Sequence, residues 1–159
     1  MIDFKKYFDY CNDGNLVWRV SRPGGKAFAG QIVGNRRRDG YVTVGLLGKK
    51  WLLHRIVYAM HHGRMPDVID HVDGDPSNNR IENLRPADNS KNQWNRKLDS
   101  RSKLGVKNVY FHTRDKTYGV RMKVNGRIKT IGYYKDLELA ELVATLAREK
   151  FFGEFARHA

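Results

Sequence analysis

Val68-Ile69-Asp70-His71-Val72-Asp73-Gly74-Asp75-Pro76-Ser77-Asn78-Asn79-Arg80-Ile81-Glu82-Asn83-Leu84-Arg85-Pro86 is the stretch on which the reading of this chain turns. Val68 to Val72 is short and mainly apolar, as a strand should be, yet an acid and an imidazole interrupt it side by side. Asp73-Gly74-Asp75-Pro76 has the residue types of a tight turn, and Ser77-Asn78-Asn79 extends it as a loop. Ile81 to Arg85 can return as a second strand, with Pro86 expected to stop it. Asp88 is a fitting N-cap for a helix running from Asn89 to Arg96, which puts Asn92 in its first turns. The outline is strand, loop, strand, helix. Side chains alternate along a strand, so Asp70 and His71 share a site only if the backbone twists or one sits at the strand's end.

Bulk charge says what such a site would meet. The 159 residues carry 30 Lys and Arg against 17 Asp and Glu, a net charge of +13. An excess of that size concentrates polyanions at the surface and suits a phosphate backbone. No basic amphipathic helix or long apolar segment points to a membrane instead. Cys11 is the single cysteine, which excludes an internal disulfide framework and a cysteine-based zinc site. The first residues hold no apolar run of signal-peptide length, so a cytoplasmic location is expected, that of the host cell if a phage encodes the chain. Cutting a phosphodiester needs a base that works near neutral pH, and histidine suits it. It also needs a hard cation on oxygen ligands; Asp70 offers a carboxylate and Asn92 an amide oxygen. Asn83 is expected to hold the His71 ring by a hydrogen bond.

Asp70-His71, Asn83 twelve residues after the histidine and Asn92 nine further on resemble the motif of the HNH (ββα-metal) nucleases. They are most similar to the phage and intron-encoded homing endonucleases that begin with Asp-His. His54-Arg55-Ile56-Val57, Asp73-Gly74-Asp75, Asn78-Asn79-Arg80 and Glu82-Asn83-Leu84 add to the likeness. The resemblance implies a DNA-hydrolysing endonuclease in which His71 is the general base, Asn83 orients it, and Asp70 and Asn92 bind the metal. Asn92 stands where many members have histidine, which favours magnesium or manganese over zinc.

After Gly105 the pattern changes. Tyr118 to Val124 alternates, Asn125-Gly126 is a hairpin signal, and Arg127 to Tyr134 supplies the returning strand. Val120, Met122 and Val124 are expected inward, Arg121 and Lys123 on the open face. Asp136 then caps a helix whose buried stripe is expected to be Ala140, Val143, Leu146, Ala147 and Phe151, stopped by Gly153. With Gly105-Val106, Val124-Asn125-Gly126, Ile131-Gly132-Tyr133-Tyr134 and Phe152-Gly153-Glu154-Phe155-Ala156, this third of the chain resembles the Apetala-two (ethylene-response-factor) DNA-binding domain. That resemblance implies a sheet face laid in the major groove, carried here by Arg121 and Lys123, with His112, Arg114 and Arg127 as further candidates.

The remaining regions fill in the organisation. Residues 1–50 read as a helical start (Phe4, Tyr7, Phe8) followed by strands at Leu16 to Val20 and Tyr41 to Val44. Arg36-Arg37-Arg38 between them is a loop that can grip phosphates. Residues 51–62 read as a helix with Leu53, Ile56, Val57 and Met60 as its apolar stripe. His54, Tyr58, His61 and His62 lie off that stripe, and the histidines are expected at the surface or hydrogen-bonded rather than on zinc. Residues 96–105 are a basic linker in which Arg96, Lys97, Arg101 and Lys103 follow a phosphate strand. The expected architecture is α+β: a nuclease domain with its N-terminal extension over 1–95, the linker, and a three-stranded antiparallel sheet packed on one helix over 106–159. The partner is double-stranded DNA, with no membrane and no obligatory protein partner. A DNA-binding regulator with a silent nuclease scaffold is the alternative, and RNA binding, which needs stacking aromatics on an exposed sheet, stays in view through Tyr110 and Tyr118.

Overall fold

A computed structural model describes residues 2–21, 27–88, 94–95, 98 and 102–157. The chain divides into two compact units, Met1–Asp88 and Asn89–Ala159.

The first unit opens with a single 3-10 turn, Phe4–Lys6, rather than the expected helix. The aromatic run that follows is claimed by a strand: β1 (Phe8–Tyr10) pairs antiparallel with β2 (Leu16–Trp18). Cross-strand packing explains the outcome, because Phe8 lies opposite Trp18 with ring centroids 4.8 Å apart and both rings are buried. Next come β3 (Asn35–Arg36), β4 (Val42–Leu46) and β5 (Lys49–Leu52), a three-stranded antiparallel sheet in the order β3-β4-β5. Trp51 and Leu52 belong to β5, and helix α1 (Leu53–His62) follows with no loop. Its Leu53, Ile56 and Val57 face fills the core with Phe4, Phe8, Leu16, Trp18, Val44 and Leu46. Each such side chain, fully buried, contributes roughly 1.5–3 kcal/mol of transfer free energy. Gly63 ends α1 in the left-handed conformation.

β6 (Val68–His71) and β7 (Leu84–Ala87) pair antiparallel, with Asp70 opposite Arg85 and His71 opposite Leu84. The second strand starts later than expected, since Ile81–Asn83 is a 3-10 turn. Pro86 also lies inside β7, opposite Ile69, instead of ending it. In this two-stranded sheet Pro86 is exposed, so its missing N–H is tolerated as at any sheet edge. Of the helix expected from Asn89 to Arg96, only Trp94 and Asn95 are among the described residues.

In the second unit β8 (Val109–His112), β9 (Thr117–Val124) and β10 (Arg127–Tyr134) form an antiparallel sheet in the order β10-β9-β8, covered by α2 (Leu137–Phe152). Asn125 and Gly126 both take positive φ (50° and 78°), the geometry of the tight turn this dipeptide favours. Asp136 caps α2, its Oδ1 accepting from the Leu139 amide at 2.8 Å. The buried stripe is rotated from the one expected. Ala140, Ala144, Ala147 and Phe152 are buried, Val143 is half-buried, and Leu146 is 55% exposed. Alanines carry little side chain, so they let the helix backbone lie close over the sheet; Leu139, Leu142 and Leu146 are turned outward. The Trp94 ring stacks on Phe152, centroids 4.7 Å apart and nearly parallel. No described helix is long and apolar enough to cross a membrane.

Candidate active site

His71 is the last residue of β6 and is 4% exposed, as is Asp70 before it. His71 is still in ladder register, opposite Leu84, and the backbone turns immediately after it. Three rings meet there: His54 from α1 lies 5.0 Å from His71 between centroids, and Tyr41 lies 5.9 Å from His71 and 5.5 Å from His54. Burial lowers the pKa of His71 below the ordinary value, against the opposing pull of Asn79 and the nearby Asp73, Asp70 and Asp75 carboxylates. The ring is therefore neutral at physiological pH, which a general base requires. His54 was expected at the surface or hydrogen-bonded; it is 4% exposed, and its Nδ1 has no hydrogen-bond partner. Burial first, then repulsion from His71 and Arg55, pushes its pKa down to about 3. Its place off the leucine stripe gave no sign of this, because α1 is buried on more than one face. Tyr58 is buried as well.

Asp70 is ion-paired across the strands. Its Oδ2 accepts from Arg85 Nη2 at 2.9 Å and from Nε at 3.1 Å. Arg85 was not singled out in the sequence, although an antiparallel return places it opposite Asp70. Pairing by a guanidinium fork offsets much of the cost of burying this carboxylate.

The loop between the strands is held from within. Asn83 accepts from the Asp73 amide at 3.0 Å and donates to Asp73 Oδ1 at 3.0 Å and to the Asn78 carbonyl at 2.8 Å. Its own carbonyl accepts from the Val72 amide at 2.9 Å. Asn83 was expected to hold the His71 ring; it ties the loop instead, and the Asn79 Oδ1 lies 3.3 Å from His71 Nε2. The geometric reason is that Asn83 sits in the 3-10 turn beneath the loop, so its amide meets main chain before it can meet the ring. Burial pushes the Asp73 carboxyl up, but hydrogen bonds from the Asp75 amide, Asn78 and Asn83 outweigh it and hold Asp73 below the usual range.

Two N-terminal elements brace this loop. The Tyr10 hydroxyl accepts from the Ile81 amide at 3.1 Å. Gly14, at φ +90°, meets the chain at Asn79 and Arg80, where a Cβ would lie 2.6 Å from the Arg80 nitrogen. The β3–β4 connection also reaches it: at Gly40 a Cβ would lie 2.7 Å from the Pro76 ring. Arg36, the last residue of β3, and Arg37 and Arg38 on that connection are exposed, with Arg37 paired to Asp39 at 2.8 Å.

The other candidates are placed as follows. Asn92, Arg96, Lys97 and Arg101 lie outside the described residues. Among the described residues no three His, Cys, Asp or Glu side chains group so as to hold a metal. In the second unit Arg121 and Lys123 are exposed on the open face of the sheet, the Arg121 guanidinium lying 4.5 Å over the Tyr110 ring. Arg114 is exposed in the β8–β9 turn beside Asp115, and Lys103 is exposed. Arg127 does not join the open face. It pairs directly with Val124, and directly opposed residues share a face, so it lies on the helix side of the sheet.

Residues 52–93 match the family model described as HNH endonuclease. Over 122 residues the chain is 32% identical to an uncharacterized HNH endonuclease of Acanthamoeba polyphaga mimivirus, a match covering 75% of this chain and 62% of that protein's length. Over 108 residues it is 29% identical to Protein 3.8 of Escherichia phage T7, covering 65% of this chain and 87% of that protein. No solved structure matches the chain. The segment that matches the HNH endonuclease model thus runs from the end of β5 past β7 and contains the strands and loop that build the His71 site.

Proposed function

We propose that this chain is a metal-dependent DNA endonuclease of the HNH type, of the phage homing kind, with a second DNA-contacting surface in its C-terminal unit. The observation that carries the reading is His71: a buried imidazole kept neutral beside an ion-paired aspartate, within the segment that matches the HNH endonuclease family model. His71 takes the proton from a water as that water's oxygen bonds to phosphorus and the bond to the leaving sugar oxygen breaks. A magnesium or manganese ion held by Asp70 and Asn92 would neutralise the scissile phosphate and the departing oxyanion. An oxygen-only donor pair fits such an ion better than zinc. Until it binds, Arg85 balances the Asp70 charge. Asn83 keeps the loop in register with the strand that ends in His71.

DNA reaches the site along basic groups: Arg36 at the end of β3, Arg37 and Arg38 on the connection that touches Pro76, and Arg96, Lys97, Arg101 and Lys103 of the linker. The C-terminal sheet, in the manner of the Apetala-two domain it resembles, lays Arg121 and Lys123 against the duplex, with Arg114 at the rim. Supercoiled plasmid incubated with and without magnesium tests the reading. Wild-type protein is expected to convert it to open or linear form only with the metal, and His71→Ala is expected to lose about 10²–10⁴-fold in rate while keeping its DNA affinity. Cutting by His71→Ala at the wild-type rate would remove His71 from the chemistry.

A further inference from the structure

Gly119 leaves a gap in the middle of the open face of the second unit's sheet. It pairs with Tyr110 of β8 on one side and with Tyr133 of β10 on the other. Directly opposed residues share a face, and so do residues two apart on one strand, so both tyrosines stand on the same face as Arg121. The Tyr110 ring lies down across the glycine. A Cβ at position 119 would collide with the ring's Cζ and lie 2.7 Å from its Cε1 and its hydroxyl oxygen. Gly119 is not among the residues at positive φ, so the ring, and not the backbone, is what requires a glycine there. The Tyr110 hydroxyl reaches that of Tyr133 at 3.4 Å, and the Arg121 guanidinium sits 4.5 Å over the ring. Tyr110 is half-buried, while Arg121 and Tyr133 are exposed.

An exposed arginine samples many rotamers, and freezing one on binding costs about 3–10-fold in affinity. A cation–π contact holds the guanidinium by its charge and leaves its N–H groups for an acceptor. In the major groove the acceptor pair that matches such a fork is N7 and O6 of guanine. We infer that Tyr110 is a positioning residue: seated on Gly119 and tethered to Tyr133, it holds the Arg121 fork ready to read a guanine edge. The inference rests on the proposed contact of this sheet with duplex DNA and names what makes one of its cations selective. An arginine free to swing would meet a phosphate as readily as a base, and would add charge without discrimination.

Selection of duplexes from a random-sequence pool by the full-length protein supplies a preferred site, and 7-deazaguanine placed at each guanine in turn removes its N7 acceptor. The wild type is expected to lose affinity at one guanine, and Arg121→Ala to be indifferent there. Tyr110→Ala is expected to cut that preference about 3–10-fold while the slope of log affinity against log salt stays as in the wild type, because the charge remains. In an Arg121→Ala background the same change is expected to do nothing. Tyr110→Phe keeps the ring and is expected to keep the preference, whereas Gly119→Ala displaces the ring and should act like Tyr110→Ala. The positioning role is overturned if Tyr110→Ala leaves the preference intact, or lowers affinity equally when Arg121 is absent. A preference that survives Tyr110→Ala but not Arg121→Ala removes this inference alone. Binding that neither 7-deazaguanine nor Arg121→Ala weakens takes the proposed sheet contact down with it.

Discussion

His54 is an imidazole built into the N-terminal core, with its pKa held near 3 where an unfolded chain has it at 6.5. Protons therefore bind the unfolded chain before the folded one as pH falls. The stability this neutral ring allows is complete above about pH 6.5, declines steadily below it, and is gone by about pH 3. The expected loss is of the order of a few kcal/mol. Denaturant midpoints of wild type and His54→Leu, measured from neutral to acid pH, check it. His71 titrates in both proteins, so the difference between the two curves isolates His54, and wild type should lose stability relative to His54→Leu as the pH is lowered. Parallel curves would mean that His54 is not buried neutral. At this scale the sequence pointed to Asp70 and His71 by residue type and spacing, and the structure has both buried at the end of β6. The sequence was not legible for His54, because helical periodicity cannot distinguish a core imidazole from a surface one. Asn79 was hidden in another way, since an asparagine in a turn has a sufficient local reason to be there.

Among the elements, the Asn125-Gly126 hairpin and the strand that ends in His71 were readable because local turn chemistry and alternation fix them. The 3-10 turn at Phe4–Lys6 and the rotation of α2 were not. Both are decided by distant partners: Trp18 draws Phe8 into a strand, and the sheet accepts alanines from α2 where leucines would hold it off. The brace of β1 and β2 on the loop between β6 and β7 makes a prediction of the same kind. Gly14→Ala adds a methyl group 2.6 Å from the Arg80 nitrogen at a backbone conformation that disfavours side chains, so the hairpin and loop must part. The cost is expected to be about 1–3 kcal/mol in chemical denaturation, with a larger fractional loss in cutting than in DNA binding. Equal losses in both would show that the brace supports the fold and not the site.

For the whole molecule, the proposed function puts chemistry and duplex grip in different compact units, and this can be tested by salt. Arg121→Ala with Lys123→Ala leaves the His71 site intact and is expected to flatten the slope of log affinity against log salt by about one to two units. Site preference should relax with it, as measured by binding titrations on specific and scrambled duplexes. An unchanged slope and preference would move recognition to Arg36, Arg37 and Arg38. The second unit has one more property with practical weight. Its Lys107 ammonium donates both to the Trp94 carbonyl at 3.2 Å and to the Arg157 carbonyl at 3.1 Å, while Trp94 stacks on Phe152. The first and last described stretches of the unit are thereby fastened to each other. A protease nick, premature stop or bulky fusion near residue 150 is therefore felt at once around residue 94, far upstream along the chain, and a purification tag is better placed at the other terminus.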